Sequence, residues 1–168
     1  MFRWFESLIP VFPAIDPRTP PRGVWRFYAF YLRPVWPVLA ATLVAGLLLA
    51  LVEVAMFDFL ARIIDLVAEA PGVDFFARHR DELLWMAAIT LIARPLLTGL
   101  HNLLVNQAIM PGLCNRTRWL MHNYVVRQSL GFFQNDFAGR IANRVMQTGT
   151  SLRESAVQMV DSLWYILV

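Results

Sequence analysis

The stretch from Pro34 to Val52, PVWPVLAATLVAGLLLALV, contains no charged residue. As an α-helix its 19 residues would rise about 28 Å, which is close to the thickness of the hydrocarbon core of a bilayer. The stretch starts too late and is too long to be the apolar part of a cleaved signal peptide. It therefore predicts a retained membrane-spanning helix.

Two more apolar runs lie further along the chain. The second, from Leu83, reads LLWMAAITLIARPLLTGLHNLLVNQAIMPGLCN, and the third, from Ala156, reads AVQMVDSLWYILV up to the last residue. Charged residues make up only 16% of the chain, against about 25% in an ordinary soluble domain. We expect an all-α membrane protein whose chain is truncated after the start of its third helix. A natural end near Val168 is the alternative.

The basic residues are all arginines, and they are unevenly distributed. Five lie within residues 1–33 and six follow the second apolar run, whereas residues 53–82 hold three arginines and seven acids. Because basic residues accumulate on the cytoplasmic side, we expect a cytoplasmic N-terminus and an outer hairpin that turns at Pro71-Gly72. This predicts a multi-pass protein of the plasma (inner) membrane. The net charge of +3 is small, and the basic residues are distributed according to the sides of the membrane. We therefore expect no nucleic-acid partner.

Aromatic residues and arginines are mixed in the segment before the first span, RGVWRFYAFYLRPVW. This composition suits the headgroup layer and predicts an amphipathic elbow helix over about 22–33, lying on the inner leaflet. The alternative is that the segment is only the frayed start of the first span. Pro34 and Pro37 favour a bend between the two segments. The proline-rich residues 6–23 predict an irregular tail.

The second helix is expected to be much longer than a membrane requires. From about Glu82 to Gly131 it would rise about 75 Å, whereas the hydrocarbon core is about 30 Å thick. Roughly half of it must then stand in the cytoplasm against other helices. We expect two parts, a cytoplasmic N-terminus over 1–33 and a membrane domain over 34–168. The membrane domain consists of a first span (about 35–62), an outer hairpin (about 63–82), the second helix (about 83–131), a loop (132–139) and a third helix (140–168).

The loop between the second and third helices reads FFQNDFAG. Asn135 or Asp136 can cap a new helix, and Gly139 can close a short one before the third helix begins at Arg140. Two long cytoplasmic helices joined by a short bent element form a rigid lever with a knob at its tip.

These residues resemble the start of the transmembrane domain of ATP-binding cassette (ABC) exporters, of the type-1 or type IV fold. In that family the first cytoplasmic loop carries a Phe-Phe pair, a Gly six residues later, an aliphatic residue two positions after the Gly and an Arg five positions after it. Here these are Phe132, Phe133, Gly139, Ile141 and Arg144. The resemblance covers the whole chain, from the elbow helix to the start of the third helix.

The chain also departs from the family's pattern at two positions. The family usually has Thr where Ala138 stands and Asp where Thr148 stands. The resemblance implies that the loop is a coupling helix seated in a nucleotide-binding domain, which belongs to the parent polypeptide or to a partner subunit. The residues that it assigns to this contact are Phe132, Phe133, Gln134, Asn135, Asp136, Phe137, Gly139, Arg140 and Arg144.

The chain itself lacks the residues for ATP chemistry. A P-loop needs a lysine to reach the phosphates, and this sequence has no lysine. Its single cysteine, Cys114, provides no metal-ligand cluster, and we identify no catalytic, cofactor-binding or metal-binding residue. The resemblance implies ATP and Mg²⁺ in the nucleotide-binding domain, and a second half-transporter in a homo- or heterodimer. The alternative is a small multi-spanning scaffold protein with no transport role.

Arg94 lies deep in the second span, where an unpaired arginine costs several kcal/mol. A hairpin turn near Pro71 would place Glu53 at a similar depth. We expect Glu53 and Arg94 to face one another, or to share a polar cavity with Asp58. A structural ion pair and a charge related to the substrate or the gate are both open interpretations.

A polar stripe continues from Arg94 along the same helix. Thr98, Asn102 and Asn106 follow at intervals of four residues, and His101 is adjacent. Such a stripe should face a cavity or other helices and not lipid. It could line a cavity or form hydrogen bonds between helices, and the sequence favours neither.

Overall fold

The computed structural model describes residues 3–14, 19–21, 23–69 and 79–167. Every regular element in these ranges is helical, which confirms the expected all-α fold. The elements are α1 (Arg3–Ser7), α2 (Val24–Leu32), α3 (Trp36–Glu69), α4 (Arg80–Val126), α5 (Leu130–Gln134) and α6 (Ala138–Leu167).

The elbow segment and the first long helix are joined without a loop. A 3₁₀ turn, Arg33–Val35, connects α2 to α3, and Pro34 lies at its start, where a missing N–H costs little. The helical run Val24–Ala68 is therefore continuous. On α2 the side chain of Tyr31 is buried, whereas that of Trp25 is exposed.

The helix α4 contains two widened, π-helical turns, Ile89–Ala93 and Leu104–Ile109. Each lies just before a proline, Pro95 and Pro111 respectively. A proline ring clashes with the carbonyl four residues earlier, and a π-turn is one way for a helix to accommodate the missing hydrogen bond. The bends expected near these prolines thus take the form of widened turns in a helix that stays continuous.

Two helical runs, Val24–Ala68 and Arg80–Val126, are long and apolar enough to cross a membrane. At 47 residues, α4 rises about 70 Å. Helical structure extends to Glu69 and resumes at Arg80, so both ends of the segment expected as an outer hairpin are helical. The turn expected at Pro71-Gly72 lies outside the described residues.

The helix α4 ends at Val126, earlier than the expected Gly131. The side-chain amide of Gln128 donates to the carbonyl of Tyr124 at 2.9 Å, and the Gln128 backbone N–H donates to Val125 at 3.0 Å. These bonds satisfy carbonyls that a helix end leaves free. The short helix α5 then contains the Phe-Phe pair.

The expectation that Gly139 closes a short helix is wrong. Gly139 lies in the first turn of α6, which begins at Ala138 and not at Arg140. The carbonyl of Phe137 accepts from the backbone N–H groups of Arg140 and Ile141, at 2.9 and 3.1 Å, so helical bonding already includes the glycine. None of the glycines in the described ranges has the positive φ typical of a helix-ending glycine.

The helix α6 runs antiparallel to α4 and packs along it. Near the tip, Arg118 Nη2 donates to Thr150 Oγ1 at 3.2 Å, and further from it His101 Nε2 lies 3.6 Å from Asp161 Oδ1. The buried core lies where α2, α3, α4 and α6 meet. Its members are Ile9, Tyr31, Val35, Val38, Leu39, Ala108, Ile109, Leu113, Leu152, Ala156 and Val160.

The N-terminal segment is non-helical over the described residues 8–14 and 19–21, as expected of the proline-rich stretch, but part of it packs against the helices. Its first residues form α1, which packs on the widened turn Leu104–Ile109 of α4. Ile9 is 1% exposed and belongs to the core. The prolines prevented a long helix here but did not prevent packing.

Candidate functional site

The tip between α4 and α6 presents an apolar surface. Leu130 is 73% exposed and Phe137 is 79% exposed. Phe132 and Phe133 are also exposed, and their rings contact edge to face with centroids 5.4 Å apart. Exposed large apolar side chains that are clustered in this way are typical of a surface that contacts another molecule.

A carboxylate bridges two arginines beside this surface. Asp136 Oδ1 accepts from Arg140 Nε, and Asp136 Oδ2 accepts from Arg144 Nη1 at 3.1 Å. The hydrogen bond from Arg140 and the positive charges of both arginines lower the pKa of Asp136 below its usual value. The Arg140 guanidinium also lies over the Phe137 ring, 5.7 Å from its centroid.

The nine residues assigned to the loop by sequence are brought together in this tip. Phe132, Phe133 and Gln134 lie on α5, Asn135, Asp136 and Phe137 form the short link to α6, and Gly139, Arg140 and Arg144 lie on the first turns of α6. All but Asp136 are exposed, and Asp136 is half-buried by its two arginines. The tip therefore combines an apolar knob with a fixed arrangement of charge.

A second feature is a cavity of about 690 Å³ between α3 and the first half of α4. Glu53 and Arg94 lie at its wall, with Arg94 Nη2 at 3.7 Å from Glu53 Oε1 and both side chains about half-exposed. The rest of the lining is almost entirely apolar. It comprises Met56, Phe57, Phe59, Leu60, Ile63, Leu83, Met86, Ala87, Thr90 and Leu91.

The structure brings Glu53 and Arg94 together but separates the other polar positions. Asp58 is exposed and does not line the cavity. His101 faces Asp161 on α6, and Asn106 lines a different, more polar cleft of about 660 Å³.

The polar stripe thus does not form one continuous wall. Thr98 is half-exposed and Asn102 is exposed on α4, and neither lines the apolar cavity. Within the described ranges, no group of three or more His, Cys, Asp or Glu side chains could hold a metal ion.

Sequence reasoning missed the burial of a charged residue, Arg116. Arg116 on α4 is 8% exposed, and its Nη1 donates to the carbonyl of Pro10 at 2.7 Å. In the sequence it was one of six arginines counted toward the cytoplasmic side. No pattern within α4 marks it as buried, because its acceptor lies in the N-terminal segment.

The chain is similar to an uncharacterized ABC transporter ATP-binding protein of Haemophilus influenzae, with 30% identity over 172 residues. The match covers 100% of this chain and 27% of that protein, so the chain spans about a quarter of that relative's length. No family model and no solved structure matches the chain. The similarity links the chain, along its whole length, to a protein named as part of an ABC transporter.

Proposed function

We propose that the chain is the membrane-spanning part of an ATP-driven ABC exporter subunit, and that it couples ATP binding and hydrolysis to substrate export. In this proposal α3, α4 and α6 cross the plasma (inner) membrane, and the N-terminus and the tip are cytoplasmic. The nucleotide-binding domain, with its ATP and Mg²⁺, belongs to the same polypeptide or to a partner subunit. A second half-transporter completes the dimer.

The observation that carries the proposal is the apolar tip on the end of two long antiparallel helices. A helix of about 70 Å exceeds a bilayer of about 30 Å, so the tip must stand well clear of the lipid. There Leu130, Phe132, Phe133 and Phe137 are exposed to water unless another protein covers them. A nucleotide-binding domain docked on this surface would bury all four side chains and could drive the lever.

The relative's name supports an ABC transport link and refers to ATP binding. We assign the ATP-binding function of such a protein to a region beyond the part that this chain matches. The absence of lysine from this sequence supports that division, because the phosphate-binding loop of an ABC ATPase contains one.

The proposal is tested by measuring the affinity of a nucleotide-binding domain for the chain embedded in lipid nanodiscs. The domain is the one encoded with the chain or by a neighbouring gene. We expect Phe137→Ala to weaken binding at least tenfold, because it removes a large exposed ring from the docking surface. Trp85→Ala is the matched control: Trp85 is 66% exposed but lies near the opposite end of α4, so its loss should leave affinity unchanged.

Failure to bind any such domain, or equal effects of the two substitutions, would overturn the proposal. Absence of an ABC ATPase gene from the locus, together with no binding, would favour a multi-spanning scaffold protein instead.

A further inference from the structure

Residues 8–12, here called the strap, pass across α4 in a short non-helical path. The strap follows α1 and reads LIPVF. Pro10 has no N–H to donate and fixes its own φ, which favours an extended course over a further helical turn. Three contacts with α4 define the groove in which the strap lies.

The first contact is between Ile9 and Gly112. A Cβ atom on Gly112 would lie 2.8 Å from Ile9 Cβ, closer than real Cβ atoms approach, and 3.1 Å from Ile9 Cγ2, which is a tight contact. The glycine is therefore a socket for the branched side chain of Ile9, which is 1% exposed. Any larger residue at position 112 would displace the strap.

The second contact is a hydrogen bond to the backbone of the strap. Arg116, one helical turn beyond Gly112, donates from Nη1 to the carbonyl of Pro10 at 2.7 Å. Its Nε has no hydrogen-bond partner among the described residues, so this carbonyl is an important acceptor for a guanidinium that is 8% exposed. The buried charge would lose that bond if the strap left the groove.

The third contact is aromatic. Phe12 lies edge-on to Trp119, with ring centroids 5.1 Å apart. The groove thus provides, in order along α4, a socket for an aliphatic side chain, a donor for a carbonyl and a ring for an aromatic side chain. This order matches Ile9, the Pro10 carbonyl and Phe12 of the strap.

The groove lies next to the second widened turn of α4. The π-helical turn Leu104–Ile109 and Pro111 immediately precede Gly112, and such turns are where helices bend. Ile9 packs in the same core cluster as Ala108 and Ile109, which belong to that turn. The strap therefore bridges the widened turn and the regular helix after it.

We propose that the groove on α4 is a recognition site for the strap, and that the strap acts as a clasp that fixes the direction of α4 across its widened turn. This inference is independent of the proposed transport function, because it concerns only contacts within this chain.

The test uses the full chain in a Cys114→Ala background, with cysteines in place of Phe12 and Trp119 and a short bifunctional thiol reagent. We expect efficient cross-linking. Adding Ile9→Ala or Gly112→Ala should lower the yield at least threefold. The matched controls are Trp4→Ala, at an exposed position just before the strap, and Gly99→Ala, where a Cβ would meet nothing within 4 Å. Neither control should change the yield.

The clasp itself is tested with spin labels at Leu100 and Tyr124, two exposed positions on either side of the widened turn. A helical path of this length spans about 36 Å, within the range of electron–electron distance measurements. We expect a narrow distance distribution that Ile9→Ala broadens and Trp4→Ala does not. The helix content of each variant, measured by circular dichroism, shows whether it is folded. If Ile9→Ala does not fold, Ile9→Val replaces it as a milder variant.

Absence of a cross-link between positions 12 and 119 would overturn the proposal that the strap binds in the groove. Loss of the cross-link in Ile9→Ala without any change in the distance distribution overturns the clasp.

Discussion

Substituting Gly149 by alanine tests the packing between the two long helices that carry the tip. Gly149 is buried on α6, and an added Cβ would lie 3.0 Å from the backbone oxygen of Cys114 and 2.9 Å from Arg118 Cγ. The arginine side chain can move, but the backbone of α4 cannot without separating the helices. Overpacking of this kind costs about 1–3 kcal/mol, and alanine recovers about 0.5–1 kcal/mol through its helix preference. Because one of the two clashes is with backbone, we expect the cost to lie in the upper part of its range and the net loss to be about 1–2 kcal/mol.

Gly139→Ala, in the same helix, is the matched control. Nothing lies within 4 Å of an added Cβ there, so only the gain in helix preference remains. Thermal unfolding of the chain in detergent, followed by circular dichroism, should show a melting temperature lower by about 3–6 °C for Gly149→Ala and slightly higher for Gly139→Ala. A melting temperature that rises in both variants would contradict the expected clash, because helix preference alone would then explain the two shifts.

Two further predictions concern charged side chains. The lowered pKa of Asp136 means that its ionised form is favoured in the folded protein, so it contributes stability above the unfolded pKa of about 3.9 and loses it as the pH falls through the lower folded value. Asp136→Asn should therefore melt earlier than the parent at pH 7 and like the parent in strong acid; a gap that stays constant with pH would contradict this. Glu53 and Arg94 are substituted by glutamine, singly and together, and the free energy of unfolding is measured for each variant. We expect the loss in the double variant to differ from the sum of the two single losses by about 0.5–1 kcal/mol, because the side chains lie 3.7 Å apart. Additive losses would count against a direct pair.

The helical architecture was predictable because it follows from local and short-range rules. A charge-free run such as Pro34 to Val52 must be helical if it is to satisfy its backbone groups in lipid. The contact between Glu53 and Arg94 follows from depth, since a hairpin places residues equidistant from its turn beside one another. The tip residues form one surface because they are close in sequence.

The form of the bends and the residue at which α4 ends could not be predicted, because the sequence is compatible with more than one local structure at these points. A proline inside a helix can end it, kink it or widen the turn before it, and Pro95 and Pro111 both have a π-helical turn before them. Gly139 fits the rule for a residue that ends a helix. However, the Phe137 carbonyl accepts from backbone N–H groups beyond the glycine, and Asp136 accepts from the Arg140 side chain, so α6 already includes Gly139.

The strap could not be predicted because its contacts join segments far apart in the chain. Ile9 lies in a proline-rich stretch that has no periodic pattern, and its socket, Gly112, resembles any glycine after a proline. The burial of Arg116 has the same cause, since its acceptor is the Pro10 carbonyl. Only the packing of the N-terminal segment on α4 reveals either role.

The proposed function requires that the tip contacts an ATPase and not lipid. The most direct measurement places a photo-crosslinking phenylalanine analogue at position 133 of the complete polypeptide that contains this chain, and maps the adducts by mass spectrometry. We expect adducts on a nucleotide-binding domain from position 133, and lipid or no adducts from the same analogue at position 85. Lipid adducts from position 133, or none, would contradict the proposed function.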